Sequence, residues 1–387
     1  MHTRAKTKRI QSQASMEHQP THSGHLIGSN DDLLTEILLR LPVTSILRFK
    51  SVSKHWQSLL SHRSFTLLYD NLSKSPGMFV GNTYFPFDVE NPSPPPFRSL
   101  DLLFDIRGIR ILQSCNGLLL LCSNIGYNGA SKYYVFNPTT KQIATVPGVP
   151  GGHNVRKTIC FMGLVFHQRD CVHYKVVCIR REVPYGDLFQ IQIYSSNTRK
   201  WKVSIESFYM NWWHPLEGVY WNGAIHWAPS YHNHLFFKIE DERLQTLPLP
   251  VGMTSSETRT TYFGESRGHL HLTMGLDFDA KTLNVHEMLS DHSGWFVKYQ
   301  VDLLELKSAF PEMINARFDF VVVDVIRGEK EEDTFMLLLL IHSKMIIVRY
   351  NVHDKSFKQL FNFNATNYIY KKFTNAHHRY TETLASF

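Results

Sequence analysis

Hydrophobic and polar residues alternate in two rhythms along this chain, and the first rhythm is helical. Residues 31–60 read DDLLTEILLRLPVTSILRFKSVSKHWQSLL. Four apolar residues fall at the i, i+3, i+4, i+7 spacing of one helical face: Leu34, Ile37, Leu38 and Leu41. Asn30 is a favourable N-cap before this pattern. Pro42 ends the helix because proline disfavours helical geometry at the residue before it.

Two more short helices are predicted directly after the first. Their apolar residues are Ile46, Leu47, Phe49 and Val52 in the second and Trp56, Leu59 and Leu60 in the third. Ser53 can cap the third helix, and Leu33 and Leu39 widen the apolar surface of the first. A chain below about 40 residues usually needs help to fold. The surplus apolar face therefore docks either on the rest of this chain or on another protein.

From about residue 100 onward the rhythm is that of short strands joined by turns. Asn116-Gly117 in SCNGLLLL and Asn222-Gly223 in VYWNGAIHW are hairpin turns between apolar runs. Aromatic strands followed by polar turns also recur, with turns beginning near Asn137, Ser195, Glu240 and Asn351. The gaps are 58, 45 and 111 residues, the last being about two units. A propeller blade needs roughly 40–50 residues.

These patterns predict an all-β domain over residues 100–387, which we interpret as a β-propeller of six or seven blades. At about 45 residues per blade the segment makes six, and the connector before it could supply a seventh. A pair of β-sandwiches is the competing architecture. The predicted domains are a disordered basic tail (1–28), a helical module (29–70), a connector containing a proline-rich run (71–99) and the β domain (100–387).

Charge changes this picture only at the N-terminus. The formal net charge is +7, of which +3 lies in the tail, from Arg4, Lys6, Lys8 and Arg9 against Glu17. RAKTKR is either a solvated tail or a nuclear address. Elsewhere no basic stripe is interleaved with aromatic residues, so we expect no nucleic-acid partner.

The apolar runs and the cysteines indicate the cellular compartment in which the protein is expected. The most apolar run, Phe335–Ile341, is too short to span a membrane, so we expect no membrane partner. The five cysteines fit no zinc spacing, and reduced thiols are typical of the cytosol and nucleus. We expect the protein in the cytoplasm, the nucleus or both.

One motif resembles catalytic chemistry. Gly264-Glu265-Ser266-Arg267-Gly268 matches the G-x-S-x-G nucleophile elbow, which would make Ser266 the nucleophile of a serine hydrolase. The elbow requires a helix after it, whereas HLHLTM alternates like a strand. His269 and His271 share one face of that strand, but a metal site needs three or four ligands. No phosphate-binding or dinucleotide-binding loop occurs, so we expect neither metal nor cofactor.

Two adjacent tryptophans are candidates for binding another protein, the target of this chain. Trp212 and Trp213 in FYMNWWHP point to opposite faces if the segment is a strand, so at least one could be exposed. Exposed tryptophan is enriched among the residues that dominate binding energies. The competing interpretation is that both pack between blades.

The helical segment resembles an F-box in the form common in plant F-box proteins. The matching positions are Leu33, Glu36, Ile37, Leu38, Arg40, Leu41, Pro42, Arg48, Phe49, Lys50, Val52, Ser53, Lys54 and Trp56. The family's leading Leu-Pro is Ser29-Asn30 here, a departure that would lower affinity for the adaptor. The resemblance implies that the surplus apolar face docks on the adaptor subunit of an SCF-type cullin–RING ubiquitin ligase, and through it on a cullin. The implied adaptor-binding residues are Leu33, Leu34, Ile37, Leu38, Leu41, Pro42, Leu47, Val52 and Trp56.

The β domain resembles the F-box-associated domain of the same proteins. SCNGLLLL, YVFNPTTKQ, GVYWNGAIHWAP and a later strand from Gly268 to Leu272 occur in the family's order. The resemblance implies a substrate-recognition subunit that performs no chemistry and recruits an unidentified target protein for ubiquitination. Two alternatives stay open: a serine hydrolase using Ser266, and an adaptor-bound scaffold without ligase activity.

Overall fold

The computed structural model describes residues 28, 30–72, 77–88, 99–100, 108–123, 132–151, 155–167, 173–183, 186–209, 218–229, 235–251, 260–274, 282–310, 319–341, 344–364 and 377–387. Contacts between residues separate the chain into two compact units, residues 1–60 and residues 61–387. No helix in these described ranges combines the length and hydropathy that crossing a membrane requires.

The three predicted helices are present: α1 (Asp31–Leu39) and α2 (Val43–Phe49) lie in the first unit, and α3 (Lys54–Ser61) ends one residue beyond it. Asn30 caps α1, because its side chain accepts hydrogen bonds from the backbone N–H groups of Asp32 and Leu33, each at 3.1 Å. Ser53 Oγ accepts from Trp56 N at 3.1 Å in the same way before α3. Pro42 is itself the N-cap of α2, with φ −59° and ψ 148°.

The second unit begins with α4 (Arg63–Asn71). In the part that the structure describes, it continues as strands with the short α-helices α5 (Val155–Thr158) and α6 (Leu303–Ala309) and a 3-10 helix at Glu331–Asp333. Its strands are β1 (Gly77–Val80), β2 (Thr83–Pro86), β3 (Ile109–Cys115), β4 (Leu118–Ser123), β5 (Lys132–Asn137), β6 (Gln142–Val146), β7 (Ile159–Val165), β8 (Lys175–Arg181), β9 (Leu188–Ser195), β10 (Lys200–Tyr209), β11 (Gly218–Trp221), β12 (Ala224–Trp227), β13 (Leu235–Lys238), β14 (Arg243–Thr246), β15 (Thr260–Ser266), β16 (His269–Met274), β17 (Thr282–Met288), β18 (Trp295–Asp302), β19 (Asp319–Ile326), β20 (Phe335–Ile341), β21 (Lys344–Asn351), β22 (Phe357–Asn364) and β23 (His377–Tyr380).

These strands form six antiparallel sheets, the blades of a six-bladed β-propeller, which confirms the predicted fold class. Blades I to V are four-stranded and follow chain order: β3–β6, β7–β10, β11–β14, β15–β18 and β19–β22. Their first strands neighbour one another around the centre of the ring. A second strand such as β4 is buried along its whole length because neighbouring blades cover both its faces. The outer strand β6 alternates between partly buried and exposed residues until the buried Val146 at its end.

Blade VI joins the two ends of the propeller. It contains β2, β1 and β23, with Gly77 opposite Tyr380 and Val80 opposite His377. Strands β1 and β2 lie within the segment 71–99, which is predicted above to be a connector. That segment therefore supplies two strands of the sixth blade. Residues 100–387 contain five complete blades and the last strand of the sixth.

The segment after β23 fastens this closure. Asp70, near the end of α4, accepts hydrogen bonds from Thr383 Oγ1 at 2.5 Å and Leu384 N at 3.0 Å. Asn137 Nδ2 donates to the carbonyls of Thr383 and Ala385 at 3.2 and 2.7 Å. These groups are buried, so their hydrogen bonds hold the end of the chain against blade I.

The predicted hairpin turns are present. Asn116-Gly117, Asn222-Gly223 and Arg267-Gly268 join first and second strands with two successive positive φ values, from 46° to 84°. Third and fourth strands are joined by turns that each contain one non-glycine residue with positive φ: Lys141, Arg199, Glu242, His292 and Lys355. Four of these turns are those predicted from the repeat. The turn at His292 lies within the 111-residue gap between Glu240 and Asn351, which spans about two units.

Candidate functional site

The first candidate site is the apolar surface of the helical unit. Three large apolar side chains there are exposed: Leu33 (51%), Ile37 (45%) and Val52 (59%). We call these three residues the apolar rim. Leu33 and Ile37 lie four residues apart on α1, so they share one helical face. Several exposed apolar side chains on so small a unit are typical of a binding surface.

The structure divides the predicted adaptor-binding residues into groups. Leu34 and Leu38 are buried, so they form the inward face of α1. Their burial does not fit direct contact with a partner. Their positions are offset by one residue from Leu33 and Ile37, a rotation of about 100° around the helix. Outside the apolar rim, Pro42 is exposed and three residues are half-buried: Leu41, Leu47 and Trp56.

Trp56 is positioned by a local aromatic contact. Its ring packs edge-on against Phe49 with centroids 5.4 Å apart. His55 on the same helix lies 2.9 Å from the carboxylate of Asp31, which ties α3 to the start of α1. Both contacts lie within the helical unit and hold its helices in fixed relative positions.

The second candidate site is a cavity of about 1070 Å³ in the propeller. Among the described residues, it is lined by strands β3, β11, β15, β19 and β23, by residues that follow these strands and by the end of α4. We call it the axial cavity. Its size lies at the upper end of the range for small-molecule pockets, so it can admit part of a polypeptide.

An ion-pair network built from three blades lines this cavity. Arg379 on β23 lies 3.8 Å from the carboxylate of Glu265 on β15 and 3.6 Å from that of Asp324 on β19. Tyr262 donates its hydroxyl hydrogen to Asp324 at 2.8 Å. Burial by itself lowers the pKa of Arg379, but the two carboxylates raise it above its ordinary value. The guanidinium therefore remains charged inside the ring.

A second charged cluster joins blades IV and V. Glu287 on β17 lies 2.7 Å from His269 Nδ1, 3.6 Å from His271 Nε2 and 2.7 Å from Arg327 Nη1. Burial raises the pKa of Glu287, but the hydrogen bond with His269, the nearby His271 ring and the Arg327 charge together bring it well below its ordinary value. Burial is also the main cause that lowers the pKa of His271. Arg327 also pairs with Glu331 at 3.0 Å.

The G-x-S-x-G motif does not form a nucleophile elbow. Ser266 ends β15, Arg267-Gly268 is a β-turn, and strand β16 follows where the elbow requires a helix. Ser266 is buried, and its Oγ accepts a hydrogen bond from Arg327 N at 3.0 Å. Its environment is that of a structural hydroxyl between two blades, so the hydrolase alternative does not fit this geometry.

His269 and His271 share the carboxylate of Glu287. Within the described ranges, no group of three or more His, Cys, Asp or Glu side chains is arranged to hold a metal ion. Trp212 and Trp213, the predicted target-binding residues, lie outside the described residues. Their segment precedes β11, and Gly218 to Trp221 of that strand line the axial cavity.

No pattern in the sequence singles out the charged residues of the cavity as a group. Glu265, Asp324 and Arg379 come from positions more than fifty residues apart, and no spacing rule links them. A local signal exists for one of them: Asp324 interrupts the otherwise apolar run FVVVDVI of β19. A charge inside a buried strand needs a partner, which marks such a residue for attention.

Comparison with known proteins finds matches to both units. Residues 30–68 match the F-box domain, and residues 98–387 match the family described as F-box protein At3g26010-like, beta-propeller. The chain is 32% identical over 378 residues to the Arabidopsis thaliana F-box protein At5g07610, covering 89% of this chain and 88% of that protein. It is 39% identical over 120 residues to F-box protein At5g49610 of the same plant, covering 30% of this chain and 32% of that protein.

Proposed function

Because this chain belongs to the F-box proteins whose second domain is a β-propeller, we propose that it is the substrate-recognition subunit of an SCF-type cullin–RING ubiquitin ligase. In this role the helical unit binds the adaptor subunit, which in turn binds a cullin. The propeller binds the target protein.

The observation that carries the proposal is the apolar rim. Leu33, Ile37 and Val52 are exposed on a unit whose helices have seven to nine residues each. Covering one such side chain fully is worth about 1.5–3 kcal/mol. An adaptor that covers the rim therefore gains affinity from side chains that this unit leaves in water.

The proposed mechanism is proximity. A target held on the propeller is kept near the transfer centre of the ligase, which raises the effective concentration of its acceptor lysine. The chain itself then needs no catalytic residue, metal or cofactor. We propose that it acts in the cytoplasm, the nucleus or both. Trp212 and Trp213 remain candidate target contacts.

The first prediction tests adaptor binding with a matched pair of substitutions. Ile37→Asp places a charge in the proposed dry interface and should weaken adaptor binding by at least about tenfold. Ile205→Asp is the control, because Ile205 is an isoleucine that is 90% exposed on the outer strand β10 of the propeller. Affinity-tagged chain co-expressed with the adaptor would be pulled down and the bound adaptor quantified.

Comparing the two variants distinguishes a loss of adaptor docking from a general change in solubility. Ile205→Asp should retain the adaptor at the unsubstituted level. Unchanged adaptor recovery with Ile37→Asp, or equal losses with both variants, would contradict the assignment of the apolar rim as the docking surface.

A further inference from the structure

We propose that the axial cavity is the target-recognition site and that it takes a cationic side chain, arginine or lysine, of the target protein. This inference deepens the proposed function and rests on it. It assigns both the position of the target site within the propeller and the chemistry that the site selects.

The balance of charge in the cavity opposes that of the whole chain. The chain carries a formal charge of +7. Among the described residues that line the cavity, six carboxylates face four guanidiniums, Arg267, Arg327, Arg349 and Arg379, a formal excess of two negative charges. The carboxylates are Asp70, Asp88, Glu265, Asp324, Glu329 and Asp333. A concave site with an excess of one sign concentrates ligands of the opposite sign.

The resident guanidiniums already have partners, which disfavours an anionic ligand. Arg379 lies between Glu265 and Asp324, and Arg267 lies 3.9 Å from Glu329. Arg327 bonds to Glu287 and Glu331 at 2.7 and 3.0 Å. An anion entering the cavity would have to compete with these ion pairs. A cation would instead enter a lining in which carboxylates outnumber guanidiniums.

Glu265 is the carboxylate best placed to receive the cation. Oε1 accepts from Gly268 N at 2.7 Å, and Oε2 lies 3.8 Å from Arg379. A carboxylate has about four acceptor positions, so these two contacts leave capacity for a further donor. The Glu265 side chain is 24% exposed, so a ligand can reach it from the cavity. Asp324 is more buried and already accepts from Tyr262 and Val325.

Aromatic rings supply an independent reason to expect a cationic ligand. Phe87, Tyr220, Phe263 and Phe335 line the same cavity. One of them already holds a guanidinium: the Arg349 guanidinium carbon lies 3.9 Å above the centroid of the Phe335 ring. Arginine and lysine are attracted to the faces of such rings, and the attraction grows where water is excluded. Rings and surplus carboxylates together suit the stem and the charge of a basic side chain.

The second prediction tests the site with a defined probe. A fluorescein-labelled peptide with two adjacent arginines between glycine and serine residues would be titrated with full chain co-purified with its adaptor, and anisotropy measured. A second peptide with citrulline in place of both arginines removes the charge and keeps the shape. The arginine peptide should bind at least about tenfold more tightly than the citrulline peptide, because charge-assisted hydrogen bonds are lost.

Two matched variants locate the site. Glu265→Gln should weaken binding of the arginine peptide by about tenfold. Glu242→Gln should leave it unchanged, because Glu242 is a similarly exposed carboxylate, 21%, that pairs with Lys202 at 2.7 Å on the turn between β13 and β14. Thermal unfolding of both variants would establish that each is folded. Replacing arginine by lysine in the probe distinguishes selectivity for a guanidinium from selectivity for any cation.

The results distinguish this inference from the proposed function. No binding of the arginine peptide, equal binding of the citrulline peptide, or equal losses in the two glutamine variants would each overturn the cavity assignment. Adaptor recovery measured on the same preparations would be unaffected by any of these results. Loss of adaptor binding in the unsubstituted chain would instead overturn the proposed function.

Discussion

At the scale of single residues, two histidine rings lie in contact between blades III and IV. His226 on β12 is fully buried, and its Nε2 lies 2.9 Å from Nε2 of His292 in the β17–β18 turn. The two rings are nearly parallel, and His292 also stacks on Phe236 with centroids 4.5 Å apart. Two imidazoles this close cannot both be protonated without strong repulsion.

This pair makes the free energy of unfolding depend on pH in the acidic range. Burial, followed by the charge of His292, lowers the pKa of His226 from 6.5 to about 3. Burial also lowers the pKa of His292, and among nearby charges Lys238 lowers it further while Asp291 opposes this. Between pH 6.5 and 3 the unfolded chain therefore binds more protons than the folded chain. The stability contributed by neutral His226 is complete above pH 6.5 and is lost as pH falls through that window.

The third prediction follows from this loss of stability at acidic pH. The free energy of unfolding should fall by up to about 1.4 kcal/mol per pH unit below pH 6.5 from His226 alone. His226→Asn should lower stability at pH 7.5 and make its decline with acid shallower. Denaturant unfolding at a series of pH values would measure both effects. His353→Asn is the control because His353 is exposed; an equal change of slope in this variant would refute the role of the buried pair.

At the scale of elements, the hairpin turns repeat one backbone conformation in different surroundings. Gly117 and Gly223 both follow asparagine, with φ values of 84° and 76°. A Cβ at position 223 would meet no atom within 4 Å. A Cβ at position 117 would lie 2.7 Å from the carbonyl oxygen of Thr381 and against the side chain of Thr383. The turn of blade I thus packs against the segment that closes the ring.

The fourth prediction uses this difference. Gly223→Ala should destabilise the propeller by about 1 kcal/mol, because alanine disfavours a left-handed backbone. Gly117→Ala should cost more, by about 1–3 kcal/mol, since overpacking adds to the same backbone penalty. Thermal or denaturant unfolding of the two variants gives the comparison directly. Equal losses would mean that the closing segment yields freely at position 117.

At the scale of the whole molecule, ring closure decides what a stable fragment contains. Blade VI takes β1 and β2 from residues 77–86 and β23 from residues 377–380. A fragment of residues 100–387 would expose the edge of β23, and unpaired edges of this kind favour aggregation. It would also lack Asp70, which bonds to the closing segment at Thr383 and Leu384.

The fifth prediction compares two fragments. Residues 61–387, which form the second compact unit, should be monomeric in solution and unfold cooperatively. Residues 100–387 should aggregate or unfold at a lower temperature because blade VI is incomplete. Size-exclusion chromatography with light scattering, followed by calorimetry, would separate the two outcomes. Equal stability of the fragments would show that β1 and β2 are dispensable for closure.

What the sequence by itself determined is local. Asn30 and Ser53 cap helices, and Pro42 separates two of them, because each acts on backbone groups a few residues away. Asn116-Gly117 and Asn222-Gly223 form turns for the same reason. The blade period is also readable, since each blade repeats one local pattern of strands and turns. These signals predict an all-β domain behind a small helical unit and favour a propeller, while the six-sheet arrangement that excludes a pair of β-sandwiches comes from the structure.

What only the tertiary structure decided depends on residues far apart in the chain. Which leucines of α1 face inward, Leu34 and Leu38 or Leu33 and Ile37, is set by packing, because all four are equally apolar in sequence. The pairing of β1 with β23 and the meeting of Glu265, Asp324 and Arg379 in one cavity arise only when the ring closes. Such contacts join separate blades, and no periodicity within one blade specifies which partner the next will present.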